Sequence, residues 1–149
     1  MDMYEPEKHL TKTDPQVSQM RESVLLLDDV DDLRFVLTEV LEHLGYDVIA
    51  CDGGRAALRF LESSPRLPSF IICDISMPDM DGYTFFRELR GNPVWSDIYF
   101  IFMSGSRDDR RAALEHGADD YVAKPFPITD LQVVLEKYRA WRSARDEHP

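Results

Sequence analysis

Charged or hydroxyl side chains stand directly after four short apolar runs in this chain. Short apolar runs bounded by turn residues are typical of buried parallel strands, and an open α/β sheet binds its ligands beyond the carboxyl ends of such strands. The five side chains at these ends are therefore expected to converge in one crevice. They are Asp28 and Asp29 after residues 24–27, Asp74 after 70–73, Ser104 after 98–103 and Lys124 after 121–123.

Three carboxylates in one crevice predict a metal site. Carboxylates that share a crevice repel one another unless protons or a metal ion compensate their charge. Mg²⁺ binds oxygen ligands and commonly uses one or two carboxylates together with phosphate oxygens, which suits Asp28, Asp29 and Asp74. We therefore expect Mg²⁺ to be the cofactor.

The lysine and the hydroxyl extend this prediction to phosphoryl transfer. That reaction depends mainly on positioning and on neutralising charge, which Lys124 and Ser104 could provide beside the metal. An ionised aspartate such as Asp74 can act as the nucleophile and form an aspartyl-phosphate. No evident cysteine, Ser–His pair or glycine-rich phosphate loop in the sequence competes for that part.

Helical patterns separate the apolar runs. Leu33, Leu37, Leu41 and Leu44 recur at helical spacing, and Gly45 marks the end of this helix. Alternating strands and helices predict a parallel sheet that is covered by helices on both faces. The remaining predicted elements are a second strand at about 47–51 and helices at 54–63, 81–91, 107–116 and about 129–142.

Four motifs carry a family resemblance: L-D-D at 27–29, C-D-I-S-M-P-D-M-D-G at 73–82, M-S-G at 103–105 and G-A-D-D-Y-V-A-K-P-F at 117–126. In this order the set resembles the receiver domain of bacterial two-component response regulators, including those similar to chemotaxis regulators. The resemblance covers about residues 23–142. It implies an α/β fold of the flavodoxin-like type, a three-layer sandwich with five parallel strands in the order 2-1-3-4-5 and five helices.

The resemblance also implies a role for each site residue. Asp74 matches the phosphoacceptor, and Asp28 and Asp29 match the acidic pair that binds Mg²⁺ with it. Ser76 stands where the family uses a backbone carbonyl as a further metal ligand. The remaining matches are Lys124, which would contact the phosphoryl group, Ser104 and Tyr121, which would form the switch, and the Lys124–Pro125 peptide bond, which would be cis.

These roles imply a signalling domain and not an enzyme, with at most self-phosphorylation from small phosphodonors and autodephosphorylation. A sensor histidine kinase or a histidine phosphotransfer protein would donate the phosphoryl group to Asp74. The modified protein would then act on a downstream protein through the face formed by the fourth helix, the fifth strand and the fifth helix. Local charge that biases a two-state element is sufficient to drive such a switch.

Composition limits the classes of partner. The net charge of −11 argues against nucleic acid and anionic membranes as partners, because both attract clustered lysine and arginine. No secretory segment or membrane-spanning run is evident, so we expect a cytoplasmic protein whose Cys51 and Cys73 are small buried residues. We expect one domain, residues 23–142, with a flexible extension at 1–22 and a tail at 143–149.

Several alternatives remain open at this stage. The chain could be a phosphorylation-independent adaptor with the same fold, or a receiver cut from a larger hybrid kinase or regulator. A third alternative is a phosphatase or phosphotransferase that acts on small molecules with an aspartate nucleophile. Such an enzyme usually has a second acid two residues after the nucleophile, where this chain has Ser76. Tyr138 and Trp141 could anchor a partner, although packing in the core or against the tail is the favoured interpretation.

Overall fold

The computed structural model describes residues 21–106 and 108–147, in which strands and helices alternate from β1 to α5. The apolar runs form the strands, and the segments with helical periodicity form the helices between them. In chain order the elements are β1 Ser23–Leu27, α1 Asp31–His43, β2 Asp47–Cys51, α2 Gly54–Ser63, β3 Phe70–Asp74, α3 Gly82–Arg90, β4 Tyr99–Ser104, α4 Asp109–Glu115, β5 Asp120–Ala123 and α5 Ile128–Glu147.

The five strands form one parallel sheet in the order β2-β1-β3-β4-β5, which confirms the predicted flavodoxin-like topology. The central pairing aligns the ends of the strands that carry the acidic residues. Leu27 of β1 lies opposite Cys51 on one side and Cys73 on the other, and Asp74 of β3 lies opposite Met103 of β4. The carboxyl ends of β1, β3 and β4 therefore meet at one edge of the sheet.

Side chains that alternate along the strands build two cores, one on each face of the sheet. Leu25 and Leu27 point into the core covered by α2, α3 and α4, whereas Val24 and Leu26 point into the core covered by α1 and α5. Every residue of β3 and β4 is buried. Central strands of a parallel sheet are expected to be apolar on both faces for this reason.

Two features at the ends of the domain differ from expectation. The last helix continues to Glu147, so residues 143–147 form helix where a tail was predicted, because no glycine or proline interrupts them. Arg142 and Asp146 also form an i,i+4 pair at 3.8 Å across this extra turn.

Of the predicted extension at 1–22, residues 1–20 lie outside the described residues. Arg21 and Glu22 pair with Asp47 and Arg142 of the folded domain.

Both cysteines match their expected environment. Cys51 and Cys73 are free and buried, and burial raises the pKa of each thiol. Neither is therefore a prominent nucleophile.

Within the part of the chain that the structure describes, none of the helices has the length and apolar composition that a membrane span requires.

Candidate functional site

The acidic residues that follow β1 and β3 come together at the carboxyl edge of the sheet. Asp28 and Asp74 are buried, with exposed fractions of 0% and 4%. One carboxylate oxygen from each of Asp28, Asp29 and Asp74 lies within 4.8 Å of the others. This edge is a switch point of the fold, since the chain leaves β1 toward one face of the sheet and β3 toward the other.

Lys124 faces two of these carboxylates from the end of β5. Its Nζ lies 3.2 Å from Asp28 Oδ2 and 3.3 Å from Asp74 Oδ2. The Lys124–Pro125 peptide bond that follows is cis. The backbone N–H of Lys124 donates to the carbonyl of Ser104 at 2.6 Å, which ties the start of this loop to the end of β4.

The charges at this edge are incompletely balanced. Burial raises the pKa of Asp74, and the neighbouring Asp28 raises it further, while Lys124 and a backbone hydrogen bond from Ser76 lower it. The net direction is upward, so the ionised form of Asp74 is disfavoured where it stands. The Lys124 ammonium group contacts two of the three clustered carboxylates, and all the metal-ligand atoms that the cluster offers are oxygens. This donor set fits a hard divalent cation such as Mg²⁺.

Hydrogen bonds to the start of α1 hold Asp28 in place. Asp28 accepts a hydrogen bond from the backbone N–H of Val30 at 2.8 Å. The guanidinium of Arg34 donates to the Asp28 carbonyl at 2.7 Å and to the Asp31 carboxylate at 2.6 Å. The first turn of α1 therefore fixes the orientation of the strand end that carries Asp28.

A close backbone approach shapes the segment after Asp74. A Cβ atom added to Gly82 would lie 2.5 Å from the Asp74 carbonyl oxygen, so only glycine fits at the start of α3. The Gly82 N–H donates to the Ile75 carbonyl at 2.7 Å, which closes the loop between them. Ser76, whose carbonyl was the predicted further ligand, is an exposed residue of this loop.

The same loop is attached to the start of α2 by Asp79. The Asp79 carboxylate accepts a hydrogen bond from the backbone N–H of Arg55 at 3.3 Å. A Cβ on Gly53 would lie 2.6 Å from an Asp79 oxygen, so a larger residue there would displace this carboxylate. A turn function was predicted for Asp79, but its contact with another helix had no signal in the sequence, because the two segments are 24 residues apart.

Ser104 makes a contact that the sequence did not predict. It lies at the end of β4 and is buried, and its hydroxyl donates to the carboxylate of Asp109, the first residue of α4. Tyr121 of β5 is also buried, and its hydroxyl donates to the carbonyl of Ser106. The structure thus brings Asp28, Asp29, Asp74 and Lys124 into one cluster. Beside it, hydrogen bonds to Ser106 of the loop after β4 connect the two predicted switch residues.

Comparison with known proteins connects this arrangement to one family. A sequence model of the response regulator receiver domain, a signalling domain of two-component systems, matches residues 24–136. The KDP operon transcriptional regulatory protein KdpE of Escherichia coli is 39% identical over 115 residues, which cover 76% of this chain and 49% of that protein. The chain spans about half the length of this relative and of the probable transcriptional regulator ycf27 of Porphyridium aerugineum.

Two solved structures are similar over most of the described fold. The receiver domain of a signal transduction histidine kinase from Syntrophus aciditrophicus is 33% identical, with a TM-score of 0.70 over 78% of this chain and 89% of that chain. The receiver domain of a sensor histidine kinase from Pseudomonas aeruginosa is 30% identical, with a TM-score of 0.71 over 79% of this chain and 97% of that chain. It contains a magnesium ion coordinated in its active-site cleft. The chain described here belongs to the response regulator receiver domain family.

Proposed function

We propose that this chain accepts a phosphoryl group on Asp74, in a Mg²⁺-dependent reaction, from a sensor histidine kinase or a histidine phosphotransfer protein. The observation that carries the proposal is the meeting of Asp28, Asp29 and Asp74 with Lys124 at one sheet edge. The modified chain then signals by changing the face formed by α4, β5 and α5. The two free, buried cysteines suit the reducing cytoplasm as the compartment of this reaction.

In the proposed reaction an Asp74 carboxylate oxygen attacks phosphorus, the bond between phosphorus and the donor's imidazole nitrogen breaks, and the electron pair remains on that nitrogen. Lys124 is already within 3.3 Å of Asp74, so its ammonium group can hold a phosphoryl oxygen without a large movement. Asp28, Asp29, Asp74 and the Ser76 carbonyl would hold Mg²⁺. When bound, the ion would neutralise the negative charge that develops on the phosphoryl oxygens. Hydrolysis of the acyl phosphate by water would return Asp74 to its original state.

An apolar groove beside the site supports a protein as the donor. It has a volume of about 250 Å³ and lies between α1 and the segment that follows β5. Val36 and Ile128 on its walls are 53% and 47% exposed, although both are apolar. Apolar side chains that remain exposed next to a polar reaction centre are typical of surfaces that bind another protein. The groove is lined by Leu33, Val36, Leu37, Val40, Lys124, Pro125, Phe126, Ile128 and Leu131.

A cleft on the other side of Lys124 supports the proposed output face. It has a volume of about 460 Å³ and is lined by residues of α4, β5 and α5, among them Arg110, Tyr121 and Asp130. Tyr121 reaches from this cleft to the loop after Ser104, so a movement of Ser104 toward a phosphoryl group would be transmitted to the surface. Charge at Asp74 would bias the two arrangements of this loop.

The proposal is tested by chemical phosphorylation of the purified protein. With Mg²⁺ and radiolabelled acetyl phosphate, we expect a label that hydroxylamine removes, because hydroxylamine cleaves acyl phosphates. Asp74→Asn is expected to abolish it, and Asp97→Asn, an equivalent change at an exposed residue at the opposite end of the sheet, is expected to retain it. Equal labelling of Asp74→Asn would refute the assignment. A wild-type protein that takes up no label, and none from a cognate kinase, would instead support the adaptor alternative.

A further inference from the structure

The hydroxyl of Ser104 is fully engaged with neighbours other than Asp74. It donates its hydrogen to the carboxylate of Asp109 and accepts a hydrogen bond from the backbone N–H of Ser106 at 3.2 Å. Asp109 begins α4, so this contact links the end of β4 to the start of the next helix. Ser104 is 4% exposed, so little water competes for these bonds.

A serine hydroxyl has one hydrogen to donate, and this limits what Ser104 can do at one time. The oxygens of a phosphoryl group on Asp74 are acceptors, and Ser104 could contact one only with the hydrogen that now goes to Asp109. We propose that Asp109 is a positioning residue that holds Ser104 in the resting arrangement and thereby opposes the phosphorylated one. This inference rests on the proposed function and names the group that regulates the same site.

The contact is connected to the predicted output face by a short series of hydrogen bonds. Ser106 binds Ser104 through its N–H and Tyr121 through its carbonyl oxygen. When Ser104 leaves Asp109, its hydrogen bond with the N–H of Ser106 is lost as well. The position of Ser106 then changes, and with it the carbonyl that accepts the hydrogen bond of the Tyr121 hydroxyl. Asp109 therefore holds both predicted switch residues, Ser104 directly and Tyr121 through the loop.

The surroundings of the loop suit a contact that breaks and forms. A Cβ atom built on Gly105 would have no atom within 4 Å, so the residue between Ser104 and Ser106 has space to move. The residue before α4, Asp108, makes no side-chain capping bond to the helix. The Asp109 carboxylate accepts a hydrogen bond from Ser104, and this bond connects two elements. Its loss would affect the loop more than the helix.

The experiment measures the affinity for beryllium fluoride, a phosphoryl mimic, by calorimetry in the presence of Mg²⁺. Asp109→Ala is expected to bind it roughly tenfold more tightly than the wild type, since a hydrogen bond to a charged group no longer opposes binding. Asp108→Asn is the matched control, because it changes the charge by one unit at the adjacent, exposed residue, and we expect a change below about twofold.

A double-mutant cycle separates positioning from a general structural effect. In a Ser104→Ala background, Asp109→Ala is expected to leave the affinity unchanged, because the hydroxyl that Asp109 holds is absent. An equal gain in both backgrounds would overturn the proposal, as would a wild-type affinity in Asp109→Ala. If Asp109→Ala does not fold, Asp109→Asn takes its place, with a smaller gain because the amide oxygen still accepts. Failure of wild type and all variants to bind would contradict the proposed function itself.

Discussion

The carboxylate of Asp74 is buried, so water contributes little to the stabilisation of its negative charge. It is 4% exposed, it shares the site with Asp28, and Lys124 is the cation within 3.3 Å of it. Burial outweighs the lysine, so the pKa of Asp74 is raised. The same features that would suit a nucleophile for phosphorus therefore reduce the stability of the protein when no metal is bound.

At the scale of single residues, this argument predicts that Asp74→Asn stabilises the metal-free protein. The amide has nearly the same shape but no charge, so the repulsion from Asp28 is removed while Lys124 remains 3.2 Å from Asp28. We expect Tm in a metal-free buffer to rise by a few degrees. Added Mg²⁺ should raise Tm of the wild type more than that of the variant. Scanning calorimetry measures both, and a lower Tm of the metal-free variant would contradict the argument.

The starts of two helices depend on aspartates of the loop between β3 and α3. Asp81 is the N-cap of α3, and its carboxylate accepts the backbone N–H of Thr84 at 2.8 Å. Asp79 accepts from Arg55 at the start of α2, which is a different element. The loop that carries Ser76 is therefore attached to the N-termini of two helices, to α2 through Asp79 and to α3 through Asp81. Helix N-termini favour such negatively charged side chains.

At the scale of elements, Asp81→Ala is expected to lower the free energy of unfolding by about 1 kcal/mol at neutral pH. Hydrogen bonds from Thr84 lower the pKa of Asp81 below its ordinary 3.8. The native state therefore binds fewer protons than the unfolded state, so the stabilisation is present above the ordinary value and is lost as the pH falls through the lowered pKa. Urea unfolding of wild type and variant at neutral and acidic pH measures this difference.

Asp81→Asn is the control for this prediction, because its side-chain oxygen can still accept from Thr84 while its charge is absent. Its stability loss at neutral pH is expected to be smaller, with little dependence on pH. A difference between wild type and Asp81→Ala that stays constant from neutral pH to below 3.8 would show that the carboxylate charge is not involved.

Across the whole molecule, Tyr138 joins the two ends of the described chain. Its ring is fully buried and lies 4.5 Å from that of Phe70, while its hydroxyl donates to Glu22 at 2.6 Å. Burial raises the pKa of Tyr138 to about 12. Trp141 packs against Tyr99 with ring centroids 4.9 Å apart. Tyr138 therefore packs in the core and the partly buried Trp141 packs against it, as the favoured interpretation of the sequence expected.

This packing predicts the cost of two substitutions. Tyr138→Ala is expected to lower the free energy of unfolding by about 3–5 kcal/mol through the cavity that it leaves. Tyr138→Phe should cost about 1 kcal/mol, since the hydroxyl's hydrogen bonds with Glu22 and Arg142 are lost while the ring stays packed. Val133→Ala, at a half-exposed position of the same helix, is the control and should change stability by less than about 0.5 kcal/mol. Chemical denaturation measures all three, and similar values for Tyr138→Ala and Val133→Ala would contradict the packing role.

Much of the fold and the four-residue cluster could be predicted without coordinates. Apolar runs such as 70–73 are long enough to be buried strands, and the residue after a strand has its place at one edge of the sheet. For this reason the sequence by itself determined that Asp28, Asp74 and Lys124 meet. The strand order followed from the family motifs. The end of α5 was misjudged because the signals for helix ends are weaker than those for helix cores.

Only the tertiary structure decided which partner each polar group has. Asp109 receives the hydrogen of Ser104, and Asp79 binds the start of α2, although neither pairing follows from a periodic pattern. Such contacts depend on loop paths and on side-chain rotamers, which are set by all the surrounding atoms and not by local spacing. Burial patterns repeat along the chain and can be read from it, whereas a single hydrogen bond between two loops has no repeat that would reveal it.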